Sequence, residues 1–336
     1  MKTGSLHNKI VIIIVAALIM CFVFSGTAMA ASGPSQPTSG PGGSNYLYSS
    51  VKSENHGFGD RRYGIYEPSP KATTALPVIV FLHGYMSGGS FLSDEGYREF
   101  INHMVKKGYI VIFPYYQGLL TLPCDFESNA AYAIRSALKH IKSNPSDHAQ
   151  PKYDSSGNMY FGIAGHSAGG QTTANLAAAW SKDGIPKPKA ICVIEPGVDY
   201  LIPWNNLGNI PSDIYMQVIV GDLDLVVFDR TARELWEKTP QIPASHKDWI
   251  LMKSDCNGLN CLTADHFAPA AGLFFTPDAL DFYGTYKWCV ALMNYANFGT
   301  DGTYALGNTA DQRFMGLWSD GKAVKEPVIS DTPVWP

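Results

Sequence analysis

Residues Gly165-His166-Ser167-Ala168-Gly169 stand between a short apolar run, 158–164, and a small-residue stretch of helical character, 171–182. A turn this tight at the carboxyl end of a buried strand forces its central serine into a strained backbone. Glycines at 165 and 169 leave room where a Cβ would collide with neighbouring chain. The serine hydroxyl then projects from the sheet at the start of a helix, whose first N–H groups can face a developing negative charge. A chain with this pattern must supply a strand, a sharp turn and a helix in that order. Ser167 is therefore the candidate nucleophile.

The same alternation runs through the rest of the chain. Short apolar, β-branched runs at 76–82, 108–113, 190–194, 214–220 and 248–252 read as strands buried on both faces. Helical spacing of apolar residues marks 91–107, 126–143, 229–237 and 277–298. This predicts an α/β fold: a mostly parallel, doubly wound sheet with helices on both faces and ligands held at the carboxyl ends of its strands. The segments joining these elements are too short for a large helical lid.

The first thirty residues carry Lys2 and Lys9, an apolar run from Ile10 to Phe24, and Ala28-Met29-Ala30. These are the three parts of a secretory signal peptide, and the apolar run falls short of the roughly 20 residues of a spanning helix. Export is expected, to an extracellular or periplasmic compartment, with no stable membrane insertion after the signal is removed. Residues 31–45, rich in Gly, Pro and Ser, read as a flexible linker, and 46–336 as one catalytic domain. The net charge of −4 has no basic cluster behind it, which argues against a nucleic-acid partner. Oligomeric state cannot be read from the sequence.

Oxidation is permissible in an exported chain, and Cys256 and Cys261 bracket a turn-prone Asn-Gly-Leu-Asn insert suited to a small disulfide loop. Cys192 lies in an apolar run and reads as a small buried hydrophobe. Cys124 and Cys289 have no assigned partner. Four-ligand metal spacing is absent from the cysteines, so no metal is expected.

A serine hydroxyl needs a base, a group to orient that base, and donors for the oxyanion. The run ending at Val220 leads into Gly221-Asp222-Leu223-Asp224, and the last strand is followed by Thr263-Ala264-Asp265-His266. With the turn at Ser167, these motifs resemble the α/β-hydrolase superfamily of serine esterases. The resemblance covers about residues 62–269 and is closest to its chlorophyllase, dienelactone-hydrolase-like and cutinase-like polyesterase groups. It implies the chain order serine, acid, histidine, with Asp224 as acid and Asp222 as rival, and His266 as base. His246 precedes the last strand and falls at the wrong end of the sheet; the His166 side chain should point away from Ser167. The resemblance also implies an oxyanion hole made by the N–H groups of Ala168 and of Tyr85, in His83-Gly84-Tyr85 after the first parallel strand. The Tyr85 ring should line the acyl pocket.

The implied activity is hydrolysis of a carboxylic ester through an acyl-enzyme, with no cofactor. The substrate is a small-molecule or polymeric ester. Pro203-Trp204 resembles the site where polyesterases place a substrate-stacking tryptophan, so Trp204 is a candidate binding residue. A cutinase-like polyester hydrolase or lipase is the narrower alternative. A secreted peptidase would use the same triad but lacks its extra domain here. A non-catalytic binding protein would require the triad to have decayed.

Overall fold

The computed structural model describes residues 31–85, 94–118, 120–197, 201–270 and 276–335; the expected signal peptide lies outside them. Strands β1 (Ser50–His56), β2 (Arg62–Ser69), β3 (Val78–Leu82), β4 (Ile110–Tyr115), β5 (Phe161–His166), β6 (Ala190–Ile194), β7 (Tyr215–Gly221) and β8 (Lys247–Met252) form one sheet with a late strand, β11 (Val328–Ser330). Its order is β1-β2-β4-β3-β5-β6-β7-β8-β11. From β4 to β8 all neighbours pair parallel, while β1, β2 and β11 are antiparallel additions at the two edges.

The parallel strands read as unbroken apolar runs because both faces are covered. Along β3, Val78, Val80 and Leu82 enter one core while Ile79 and Phe81 enter the other. The first core lies under helices α2 (Phe126–Ser143), α3 (Ala168–Ala179) and α4 (Arg230–Glu237); the second lies under α1 (Arg98–Lys106) and α5 (Tyr286–Phe298). Strand period 2 thus divides one short segment between two layers.

The structure departs from the sequence reading near the start of the described residues. The segment 31–45, expected to be a free linker, is laid against the domain. His103 Nε2 bonds the Pro41 carbonyl at 2.8 Å, and Lys107 Nζ donates to the Gly40 carbonyl at 2.8 Å. A Cβ on Gly42 would sit 1.8 Å from the Phe282 carbonyl oxygen, so glycine here permits close packing rather than freedom. At the other end, β11 pairs with β8, and Trp249 Nε1 donates to the Val334 carbonyl at 3.0 Å. The tail therefore closes the β8 edge, which would otherwise present unpaired backbone groups.

Between β8 and the loop carrying His266, β9 (Asp255–Asn257) and β10 (Asn260–Leu262) make a small hairpin. Cys256 and Cys261 face each other across it and are joined as a disulfide. The other described cysteines are free: Cys124 is exposed, while Cys192 and Cys289 are buried.

Candidate active site

Ser167 sits between β5 and α3 with φ 57° and ψ −124°, a backbone conformation that side chains with a Cβ rarely adopt. The two flanking glycines are obligatory. A Cβ on Gly165 would lie 2.4 Å from the Gly169 carbonyl oxygen, and one on Gly169 would lie 2.1 Å from that of Leu82. The turn can close only because both positions lack a side chain.

The loops after β5, β7 and β8 bring three side chains into one chain of hydrogen bonds. His266 Nε2 is 2.9 Å from Ser167 Oγ, and His266 Nδ1 is 2.9 Å from Asp224 Oδ2. The other carboxylate oxygen of Asp224 accepts from the N–H groups of Val226 and Val227 at 2.9 and 3.0 Å. Three donors thus converge on this buried carboxyl, two from the backbone and one from the imidazole it faces.

Asp222, the rival acid, has a different task. Its Oδ1 accepts from Ser254 N and Ser254 Oγ at 2.8 and 2.6 Å, and its Oδ2 pairs with Lys253 at 2.9 Å. Burial works against its charge, but the bonds from Ser254 and Lys253 hold its carboxyl below the usual range. Ser254 Oγ also accepts from Ala264 N at 2.9 Å, and Leu223 N donates to the Ala264 carbonyl at 3.0 Å. Asp222 thereby clamps the loop that carries Asp224 to the loop that carries His266. Asp265 accepts from Phe267 N within its own turn.

The loop after β3 lies directly over the serine. A Cβ on Gly84 would be 3.3 Å from Ser167 Cβ, so the loop that carries Tyr85 passes close to that serine. Gly84 N donates to Tyr97 Oη at 3.0 Å, and that hydroxyl is 2.6 Å from His166 Nδ1. Tyr97 thus ties the β3 loop to the turn at Ser167. Ala168 is the first residue of α3, where amide N–H groups have no partner within the helix. His83 is fully buried, bonds the Gly84 carbonyl at 2.7 Å and stacks on Tyr116. Burial lowers it to about 4, so it stays neutral.

Glu195, like Tyr97, was not anticipated at the site. Glu195 follows β6 and is fully buried at φ 44°, and among the described residues neither carboxyl oxygen has a hydrogen-bond partner. Its Oε2 lies 3.4 Å from His166 Nε2 and 3.8 Å from His266 Nδ1. Burial, then the nearby charges of Asp224 and Asp265, push its carboxyl well up, so it is held as a neutral acid. The available signal was position: Glu195 ends an apolar strand run in the place where ligands gather. His166, buried against the His266 ring at 4.7 Å, is lowered by burial and by His266.

Trp204 is half-buried and packs against the main core. Its segment is strapped to α3: Gln171 Nε2 donates to the Ile202 carbonyl and Asn175 Nδ2 to that of Pro203, at 2.8 and 2.9 Å. Between β6 and β7, the described residues hold one three-residue turn, Leu207–Asn209, and no lid helix.

Among the described residues, two groups of three have ligand atoms close enough to share a cation. One, His166 with Glu195 and His266, lies within the site just described, where His266 is already engaged on both ring nitrogens.

Residues 62–199 match the chlorophyllase family. The parallel sheet, its two helical layers and this match agree. The chain has the α/β-hydrolase fold and is similar to the chlorophyllases. Chlorophyllase-1 of Arabidopsis thaliana is 28% identical over 109 residues, covering 32% of this chain and 31% of that protein. The aligned part thus spans about a third of the curated relative. The family match contains Ser167 and Glu195 but ends before Asp224 and His266, so the α/β-hydrolase acid and base stand here on geometry alone.

Proposed function

We propose that this chain is an exported serine carboxylic-ester hydrolase working through an acyl-enzyme. The observation that carries the reading is the unbroken path Ser167 Oγ, His266 Nε2, His266 Nδ1, Asp224 Oδ2, with 2.9 Å at each hydrogen bond. Likeness to the chlorophyllases supports an ester as the substrate. The disulfide suits an oxidising compartment, and so supports export.

In the reaction, His266 Nε2 takes the Ser167 proton as Oγ attacks the ester carbonyl. Asp224 holds the imidazole in orientation and balances its charge. The N–H groups of Ala168 and Tyr85 receive the oxyanion, and His266 returns the proton to the departing alcohol. Water then enters by the same route and gives its proton to His266 as it attacks the acyl carbonyl; His266 passes that proton to Ser167 Oγ as the acid departs. Each step uses groups of the chain itself.

Apolar side chains stand exposed on the loops that bear the site: Tyr85, Leu223, Leu225, Val226, Phe228 and Phe267. Exposed apolar groups gathered at a catalytic mouth favour a substrate with a bulky apolar acyl or alcohol part. The test is turnover on p-nitrophenyl esters of increasing acyl length together with a polyester film. Rising kcat/KM with acyl length supports the reading. A preference for acetate, with no attack on longer chains or film, contradicts it.

A further inference from the structure

On the sheet face covered by α2, strand alternation lines up Lys52, Glu54 and His56 of β1 beside Glu67, Ile65 and Tyr63 of β2. The end of α2 and the loop after it add His140 and His148 to this face. Glu67 is fully buried and follows Tyr66, which pairs with Val111 near the start of β4. It therefore lies at the opposite end of the sheet from Ser167. The catalytic reading uses none of these residues.

Their arrangement is that of a metal site. Ligand atoms of Glu54, His140 and His148 all lie within 4.8 Å of one another. His148 is buried, with Nε2 3.0 Å from Glu54 Oε1. Its other nitrogen, Nδ1, is 2.8 Å from Glu67 Oε2, and Glu67 Oε1 accepts from Ala149 N at 2.9 Å. A carboxylate on the far nitrogen is how proteins fix the tautomer and raise the basicity of a metal-bound imidazole. Glu54 Oε1 is buried without a well-formed hydrogen bond, as is His56 Nε2, 3.5 Å from Glu54 Oε2. The His56 and His140 rings stand 4.1 Å apart. Zinc bonds of about 2.0–2.2 Å put neighbouring ligand atoms about 3.3 Å apart, a spacing the Glu54–His148 pair already approaches.

We propose that Glu54, His140 and His148 bind a divalent zinc-type ion, with Glu67 positioning His148 and with a water or His56 at the fourth place. Imidazole and carboxylate donors without thiolate suit zinc and its first-row neighbours rather than calcium or magnesium. The ion would clip the edge strand β1 to the end of α2. It is structural and separate from the ester chemistry.

The competing arrangement is a metal-free polar cluster in which His148 sits between the Glu54 and Glu67 carboxyls and Lys52 Nζ lies 3.2 Å from Glu67 Oε2. Titration of untagged, chelator-stripped protein with zinc chloride, read by calorimetry and thermal unfolding, separates the two. Zinc binding should show one ion per chain and raise Tm by about 4 °C at a hundredfold excess over Kd. His140→Gln and Glu54→Gln should each weaken binding at least about tenfold, and Glu67→Gln by about 10–100-fold. All three should still hydrolyse a p-nitrophenyl ester, which shows that they fold. Absence of binding, full affinity in both His140→Gln and Glu54→Gln, or loss of binding in His266→Ala instead would each overturn the proposal.

Discussion

Glu195 Oε2 lies 3.8 Å from His266 Nδ1, the same nitrogen that Asp224 holds at 2.9 Å. Two carboxyls therefore face one imidazole, and their surroundings separate their roles. Asp224 gathers three donors, whereas Glu195 is fully buried and has none among the described residues. Burial first, then the neighbouring carboxyls, push the Glu195 carboxyl well up, which favours its neutral form.

The division of roles is open to mutation. Asp224→Asn should lower kcat by about 10⁴-fold, because the histidine loses its orienting charge. Glu195→Gln keeps shape and neutrality and should stay within about tenfold of the parent. Steady-state kinetics on one p-nitrophenyl ester compares them. The reverse ranking would make Glu195 the acid.

Stability should carry the mark of Glu195 as well. Its carboxyl is raised in the folded chain from an ordinary value of 4.5. Above about pH 4.5 the folded state then holds a proton that the unfolded state has released, so stability falls as pH rises toward the raised value. The slope is at most about 1.4 kcal/mol per pH unit for one proton. Glu195→Gln should remove this slope, measured as Tm between pH 5 and 8. An unchanged slope means that Glu195 is not held neutral.

The hairpin disulfide closes a short loop just before the His266 segment. In the chain-entropy account such a loop contributes about 2 kcal/mol. Cys256→Ser should therefore lower Tm by a few degrees and, by loosening the adjacent loop, lower kcat at elevated temperature. A variant equal to the parent in both heat tolerance and activity would dismiss the role given to the bridge.

Asp222 is expected to act on catalysis without touching substrate. Asp222→Asn weakens the charge-assisted bonds to Ser254 and Lys253, which join the loops of Asp224 and His266. Bonds of this kind are worth about 1.5–3 kcal/mol. The expected result is a lower Tm, with kcat reduced more than KM is altered, because the base is misplaced rather than the pocket changed. An effect on KM alone would place Asp222 in the pocket instead.

The central strands and the motifs at their ends were legible because both faces of a parallel sheet demand apolar runs. The helix at 126–143 and the strand at 190–194 have the expected bounds. Strands β1, β2 and β11 were missed, the edge strands β1 and β11 for the complementary reason. β1 reads Ser-Val-Lys-Ser-Glu-Asn-His, an edge strand with no apolar stripe, held by its pairing with β2. The segment 31–45 misled because glycine serves close packing as well as freedom, and only the neighbour at Gly42 tells which. Glu195 was invisible because a glutamate before a proline looks like an exposed loop residue until its burial is known.

The most direct measurement concerns Ser167. Wild-type protein should be labelled once by a fluorophosphonate, with peptide mass analysis locating the adduct on Ser167. Ser167→Ala should lose both the label and ester turnover, by at least about 10⁴-fold, while keeping its thermal unfolding profile. Label on another residue, or ester turnover that survives in a folded Ser167→Ala, would contradict the account.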